Sequence, residues 1–185
     1  NNELHTGPLG EASQYAEGYS PERLFPMPRA EGRLAVGLVA KPDCYGQDIW
    51  TGFEFSWLQE RGKPEVAVLR LTVPAFCSHI VESKSMKLYL NGFAQTRFDS
   101  ISVVRERLIE DLGSAFRGAV GVELLALADL NLEVGELQGE CLDELDVEIT
   151  EYERNPDLLS LTARNGADDA TVTQVLTTHL FRSLC

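Results

Sequence analysis

The spacing of apolar residues changes several times along the chain. In QDIWTGFEFSWL (47–58), Ile49, Thr51, Phe53, Phe55 and Trp57 alternate with Trp50, Gly52, Glu54 and Ser56. A two-residue period places the first set on one strand face, predicting a strand whose core face is Ile49 to Trp57. ERGKP is a turn, and EVAVLRLTVP (65–74) is a second alternating run. Before them, RLAVGLVA (33–40) is strand-like, and residues 1–31 are broken by Gly7, Pro8, Gly10, Pro21, Pro26 and Pro28, which predicts an extended lead-in. In VESKSMKLYLNGF (81–93), Met86, Leu88 and Leu90 share the parity of Glu82 and Lys84, while Lys87 falls on the opposite face. The expected element is a strand running to about Phe98, with a bulge or turn near Asn91 and Gly92 and an unusually polar start.

The period then becomes helical. In DSISVVRERLIEDLGSAFRG, Ile101, Val104, Leu108, Leu112 and Phe116 recur every three or four residues, Asp99 or Ser100 stands at the N-cap, and Gly118 follows the end. AVGVELLAL and LDVEITEYE predict further strands, RNPDLLSLTARNGADD a loop or short helix. Val172, Val175, Leu176, His179 and Leu180 have helical spacing. Antiparallel strands with a helix pair define an α+β domain.

Composition narrows the function. The net charge of −13 disfavours a broad polyanion-binding surface, so direct gripping of tRNA is not expected, although a few lysines can still hold a small anion. No apolar run reaches eighteen residues and the start lacks the basic and apolar parts of a signal peptide, so a cytoplasmic protein without membrane contact is expected. Cys44, Cys77, Cys141 and Cys185 form no CxxC or Cys/His pattern, so neither a metal site nor disulfides are expected. The first three are expected to be small buried or half-buried hydrophobes.

The polar stretch carries a resemblance. From Glu82 to Tyr89, ESKSMKLY resembles the signature E-S/L-K-S/A-hydrophobic-K-L/Y-aromatic of the NADPH-dependent 7-cyano-7-deazaguanine reductases. LGEASQYAEGYSPERLFPMPR, GQDIWTGFEFSWLQERGKPEVA, QTRF and GECLDELDVEITEYE are similar to that family's long, two-module branch. The resemblance implies the tunnelling fold: an antiparallel β-sheet with helices packed on one face, in a homo-oligomer, here a homodimer. It also implies reduction of the nitrile of 7-cyano-7-deazaguanine (preQ0) to a primary amine by NADPH, in the making of the tRNA base queuosine.

By that resemblance Cys185, at the end of THLFRSLC, is the nucleophile that forms a covalent thioimide, with His179 and Arg182 near enough in sequence to favour its thiolate. Glu82, with the Val81 backbone and Ser83, matches the substrate contacts, and Ser83, Lys84 and Lys87 match the NADPH contacts. The family continues past the cysteine with Q-P-D-W-G, whose aspartate donates a proton, and with a second module. Asp43, Asp111 and Asp143 do not match that motif. The implied organisation is a lead-in at 1–31, a module at 32–152, and a connector and helix at 153–185 reaching Cys185, with the second module absent from this sequence. A different class of function fits the same fold: a catalytically silent module that binds a purine- or pterin-like ligand or only assembles with a partner. A zinc cyclohydrolase on this fold is disfavoured by the lack of clustered Cys/His ligands.

Overall fold

The structure, a computed structural model, describes residues 18–39, 45–130, 135–136, 138–152, 155–158 and 174–180. The chain divides into two compact units, Asn1–Asn131 and Leu132–Cys185. Cys44, Val172, Arg182 and Cys185 lie outside the described residues.

The first unit is built on a four-stranded sheet. β2 (Gln47–Gln59) and β3 (Pro64–Pro74) form a long antiparallel hairpin, closed by a turn in which Gly62 has φ +85. β6 (Gly121–Ala126) adds antiparallel to β3, and the short β5 (Arg97–Phe98) adds parallel to the far edge of β2. A separate pair joins β1 (Pro26–Pro28) to β4 (His79–Val81). Three helices complete the unit: α1 (Arg29–Ala35), α2 (Ser83–Phe93) and α3 (Ile101–Phe116).

β3, β6 and α3 follow their predicted periods. Val104, Leu108, Leu112 and Phe116 of α3 are buried, Ser100 caps its start by accepting from the Val103 N–H, and Arg117 ends it at φ 54. The helix packs on the sheet face formed by Leu69, Leu71, Val73 and Val122. The arrangement is the expected α+β one, with helices covering one face of a largely antiparallel sheet.

Five expectations about the fold need correction. On β2 the core face changes side midway, because Gly52 pairs with Leu69 but Phe55 pairs with Ala67. Two residues thus oppose one, a bulge that inverts the alternation. Phe55 and Trp57 are buried, whereas Ile49 and Phe53 are 59% and 58% exposed. RLAVGLVA is not a strand. Its first residues close α1, Gly37 turns the chain at φ +81, and Leu34, Val36, Leu38 and Val39 are exposed. In the second unit, 145–152 form no strand. Around His179 the backbone is extended rather than helical, because β8 (Leu176–Thr177) pairs in parallel with β7 (Glu140–Cys141). β-branched Val175, Thr177 and Thr178 suit that state better than a helix.

The fifth correction concerns the polar stretch. Residues 83–93 are helix, and the predicted strand survives only as β4 before it and β5 after it. Met86, Tyr89 and Phe93 supply the buried stripe, at a spacing of three and four. Phe93 sits at the centre of an aromatic cluster, with ring centroids 5.0 Å from Tyr19, 5.2 Å from Phe55, 5.3 Å from Tyr89 and 5.2 Å from Phe98. The lead-in closes over α2. Arg23 donates to the Leu88 carbonyl, and a Cβ on Gly92 would lie 2.7 Å from the Gly18 carbonyl oxygen.

Candidate active site

Glu82 stands between β4 and α2 and is 6% exposed. Its carboxylate accepts from the Lys84 N–H and the Ser85 N–H, each at 2.7 Å, closing the first turn of α2. A carboxylate here also faces the positive end of the helix dipole. The Ser83 hydroxyl lies 3.4 Å from Oε1. The backbone is fixed as firmly: the Glu82 N–H donates to the Phe25 carbonyl, and Ser85 Oγ donates to the Glu82 carbonyl while accepting from the Phe25 N–H. Glu82 is therefore rigid, and with about four acceptor positions on a carboxylate it retains capacity beyond the two backbone donors.

Ser83 and Lys87, one turn apart, are both exposed and both line a cleft of about 520 Å³ between α2 and β2. Strand parity put Ser83 and Lys87 on one face, opposite Glu82 and Lys84; helical geometry keeps that pair together. Lys84 is half-buried and does not line the cleft. Val81 buries its side chain, so only its backbone can meet a ligand. The cleft's apolar wall includes Trp50, Phe53, Phe55 and Met86, and Glu54 and Asn91 add polar groups. Phe53 and Glu54 are the bulged residues of β2 and were not singled out from the sequence. The available signal was Gly52, because a glycine inside a strand often marks a bulge.

Of the other candidates, Cys77 is buried as expected, but Cys141 is exposed, a correction. It lies on a strand of only two residues, both exposed. His179 is bonded to Asp143, with Nδ1 and Oδ2 3.1 Å apart. Asp111 accepts from the Tyr19 and Tyr89 hydroxyls at 2.5 and 2.7 Å, which makes it part of the core support of α2.

The fold and the cleft define an α+β module of the tunnelling-fold type with a ligand-sized groove against one helix. Residues 15–124 match the family described as nitrile reductase, 7-cyano-7-deazaguanine-reductase N-term, and the chain belongs to that family. It is 48% identical over 184 residues to the NADPH-dependent 7-cyano-7-deazaguanine reductase of Acidovorax ebreus (strain TPSY). It is 45% identical over 179 residues to the proteins of that name from Burkholderia orbicola (strain MC0-3) and Burkholderia cenocepacia (strain HI2424). Each alignment covers 96% of this chain and 64% of the relative, so the chain spans a little under two thirds of their length.

Proposed function

We propose that the protein reduces the nitrile of 7-cyano-7-deazaguanine to 7-aminomethyl-7-deazaguanine, using NADPH, in queuosine biosynthesis. The observation that carries this reading is the pairing of Ser83 and Lys87 on one rim of an aromatic-lined cleft; the buried Glu82 carboxylate, at the start of the same helix, lies next to Ser83 but outside the cleft's lining. A flat heteroaromatic base suits walls of Trp50, Phe53 and Phe55, and the remaining acceptor capacity of Glu82 suits the N–H edge of a guanine analogue. The Val81 backbone and Ser83 complete that contact in this reading.

Ser83, Lys84 and Lys87 hold the cofactor, with an ammonium set against a phosphate. The donor set fits: Ser83 and Lys87 have exposed polar ends at the rim, while the apolar wall leaves room for a stacked ring. NADPH, when bound, supplies hydride. The Cys185 thiolate adds to the nitrile carbon, converting the C≡N bond to a C=N bond whose nitrogen takes a proton, and the resulting thioimide is the species to be reduced.

The domain reading belongs to the same proposal: a module at 32–152 and a connector at 153–185 that carries the nucleophile. The acidic chain supports a free base rather than tRNA as substrate, and we take the protein to act as a cytoplasmic homodimer. Among the described residues no helix is long and apolar enough to cross a membrane.

Steady-state kinetics of the protein and of Lys87→Ala test the assignment. The variant is expected to raise KM for NADPH about tenfold, the loss of one charge-assisted contact, with little change in kcat. An unchanged KM for NADPH would remove Lys87 from the site.

A further inference from the structure

The parallel pairing of β7 and β8 sets Glu140 opposite Leu176 and Cys141 opposite Thr177. Just beyond this ladder the chain brings Asp143 against Thr178 and His179. Asp143 Oδ1 accepts from Thr178 Oγ1 at 2.6 Å and lies 3.3 Å from the His179 N–H. Asp143 Oδ2 accepts from the same N–H at 3.1 Å and lies 3.1 Å from His179 Nδ1. The Cys141 thiol completes the group: one ligand atom from each of Cys141, Asp143 and His179 lies within 4.8 Å of the others. The Asp143 side chain is 17% exposed and that of His179 is 70% exposed.

We propose that Cys141, Asp143 and His179 bind a divalent cation of the zinc class, with a fourth position open to water. One sulfur, one imidazole nitrogen and one carboxylate oxygen form a borderline donor set that favours zinc over magnesium or calcium, which take oxygen ligands. The distances agree. Nitrogen and oxygen ligands about 2.0–2.1 Å from zinc, at a near-tetrahedral angle, stand about 3.3 Å apart. Nδ1 and Oδ2 are already 3.1 Å apart. A sulfur about 2.3 Å from the same ion stands about 3.6 Å from each, so the thiol has at most about 1 Å to travel, and its side chain is exposed. Thr178 Oγ1, on the other carboxylate oxygen, holds Oδ2 toward Nδ1 as an outer contact. Binding releases the thiol proton and replaces the Nδ1–Oδ2 hydrogen bond, so uptake weakens in acid. Linear spacing conceals such a site, because Asp143 and His179 are 36 residues apart and meet only through the ladder.

Cobalt(II) titration, followed by displacement with zinc, tests the proposal independently of any catalysis. The protein should take up one cobalt ion per chain with a sulfur-to-cobalt charge-transfer band. Cys141→Ser should abolish the band. Cys141→Ser and His179→Gln should each weaken zinc by more than the roughly 10–100-fold that loss of an outer contact alone produces. Cys185→Ser should leave the band unchanged. Far-UV circular dichroism should match across the variants, since Cys141 and His179 are exposed. Absence of the band in the parent protein, its survival in Cys141→Ser, or its loss in Cys185→Ser would overturn the site.

Discussion

In the proposed reading Glu82 does two jobs with one carboxylate, and the first, capping α2, can be measured without any ligand. Its oxygens hold the Lys84 and Ser85 N–H groups at 2.7 Å, so Glu82→Ala should destabilise the first unit by about 1 kcal/mol in urea unfolding. Glu82→Gln, which keeps an acceptor oxygen, should lose less. Asp111 is a sterner case. Burial, and then the bond to Asp111, hold the Tyr19 and Tyr89 phenols protonated well above the ordinary tyrosine value of 10. Asp111→Ala would leave both hydroxyls without this acceptor, and Tyr89 is fully buried, so a loss of about 2–3 kcal/mol is expected. Tyr19→Phe, which removes one bond and leaves no buried orphan, should cost about 1 kcal/mol in the same experiment. Single residues were only partly legible. The sequence singled out Glu82 as polar where a core face was due, but the cause is a helix cap, and Asp111 carries no local signal because its partners are distant in the chain.

At the scale of elements, β3, β6 and α3 were readable because each keeps one period along its length, and β2 was readable as a strand but not in its core face. α2 was not, because ESKSMKLYLNGF supports two stripes: Met86, Leu88 and Leu90 for a strand, or Met86, Tyr89 and Phe93 for a helix. Tertiary packing chose the second, which buries Tyr89 and Phe93 against Tyr19, Phe55 and Phe98. The bulge in β2 likewise took Ile49 and Phe53 off the core face that Phe55 and Trp57 keep. The fit of α2 to the lead-in gives a further test. Alanine at an interior helix position normally favours the helix over glycine, yet at Gly92 a Cβ meets the Gly18 carbonyl oxygen at 2.7 Å. Gly92→Ala should therefore destabilise, by about 1–3 kcal/mol, read as a lower urea midpoint at constant slope.

For the whole molecule, pH enters through His79, which is buried on β4 with Nδ1 2.9 Å from Ser78 Oγ. Burial lowers its pKa from the ordinary 6.5, the Arg117 guanidinium lowers it further, and Glu31 opposes them. The unfolded chain thus binds the proton first. The contribution of neutral His79 is full above about pH 6.5 and is lost as pH falls from there toward the depressed folded value. The stability difference between the parent and His79→Gln should narrow over that window, and a difference independent of pH would contradict the assignment. The central claim rests elsewhere, on Cys185 as the residue that captures the nitrile. Intact-protein mass spectrometry after incubation with 7-cyano-7-deazaguanine, beside a Cys185→Ala control, tests it most directly. The proposal predicts a mass increase of one substrate per chain in the parent and none in the control. An unmodified parent, or an adduct that persists in Cys185→Ala, would contradict it.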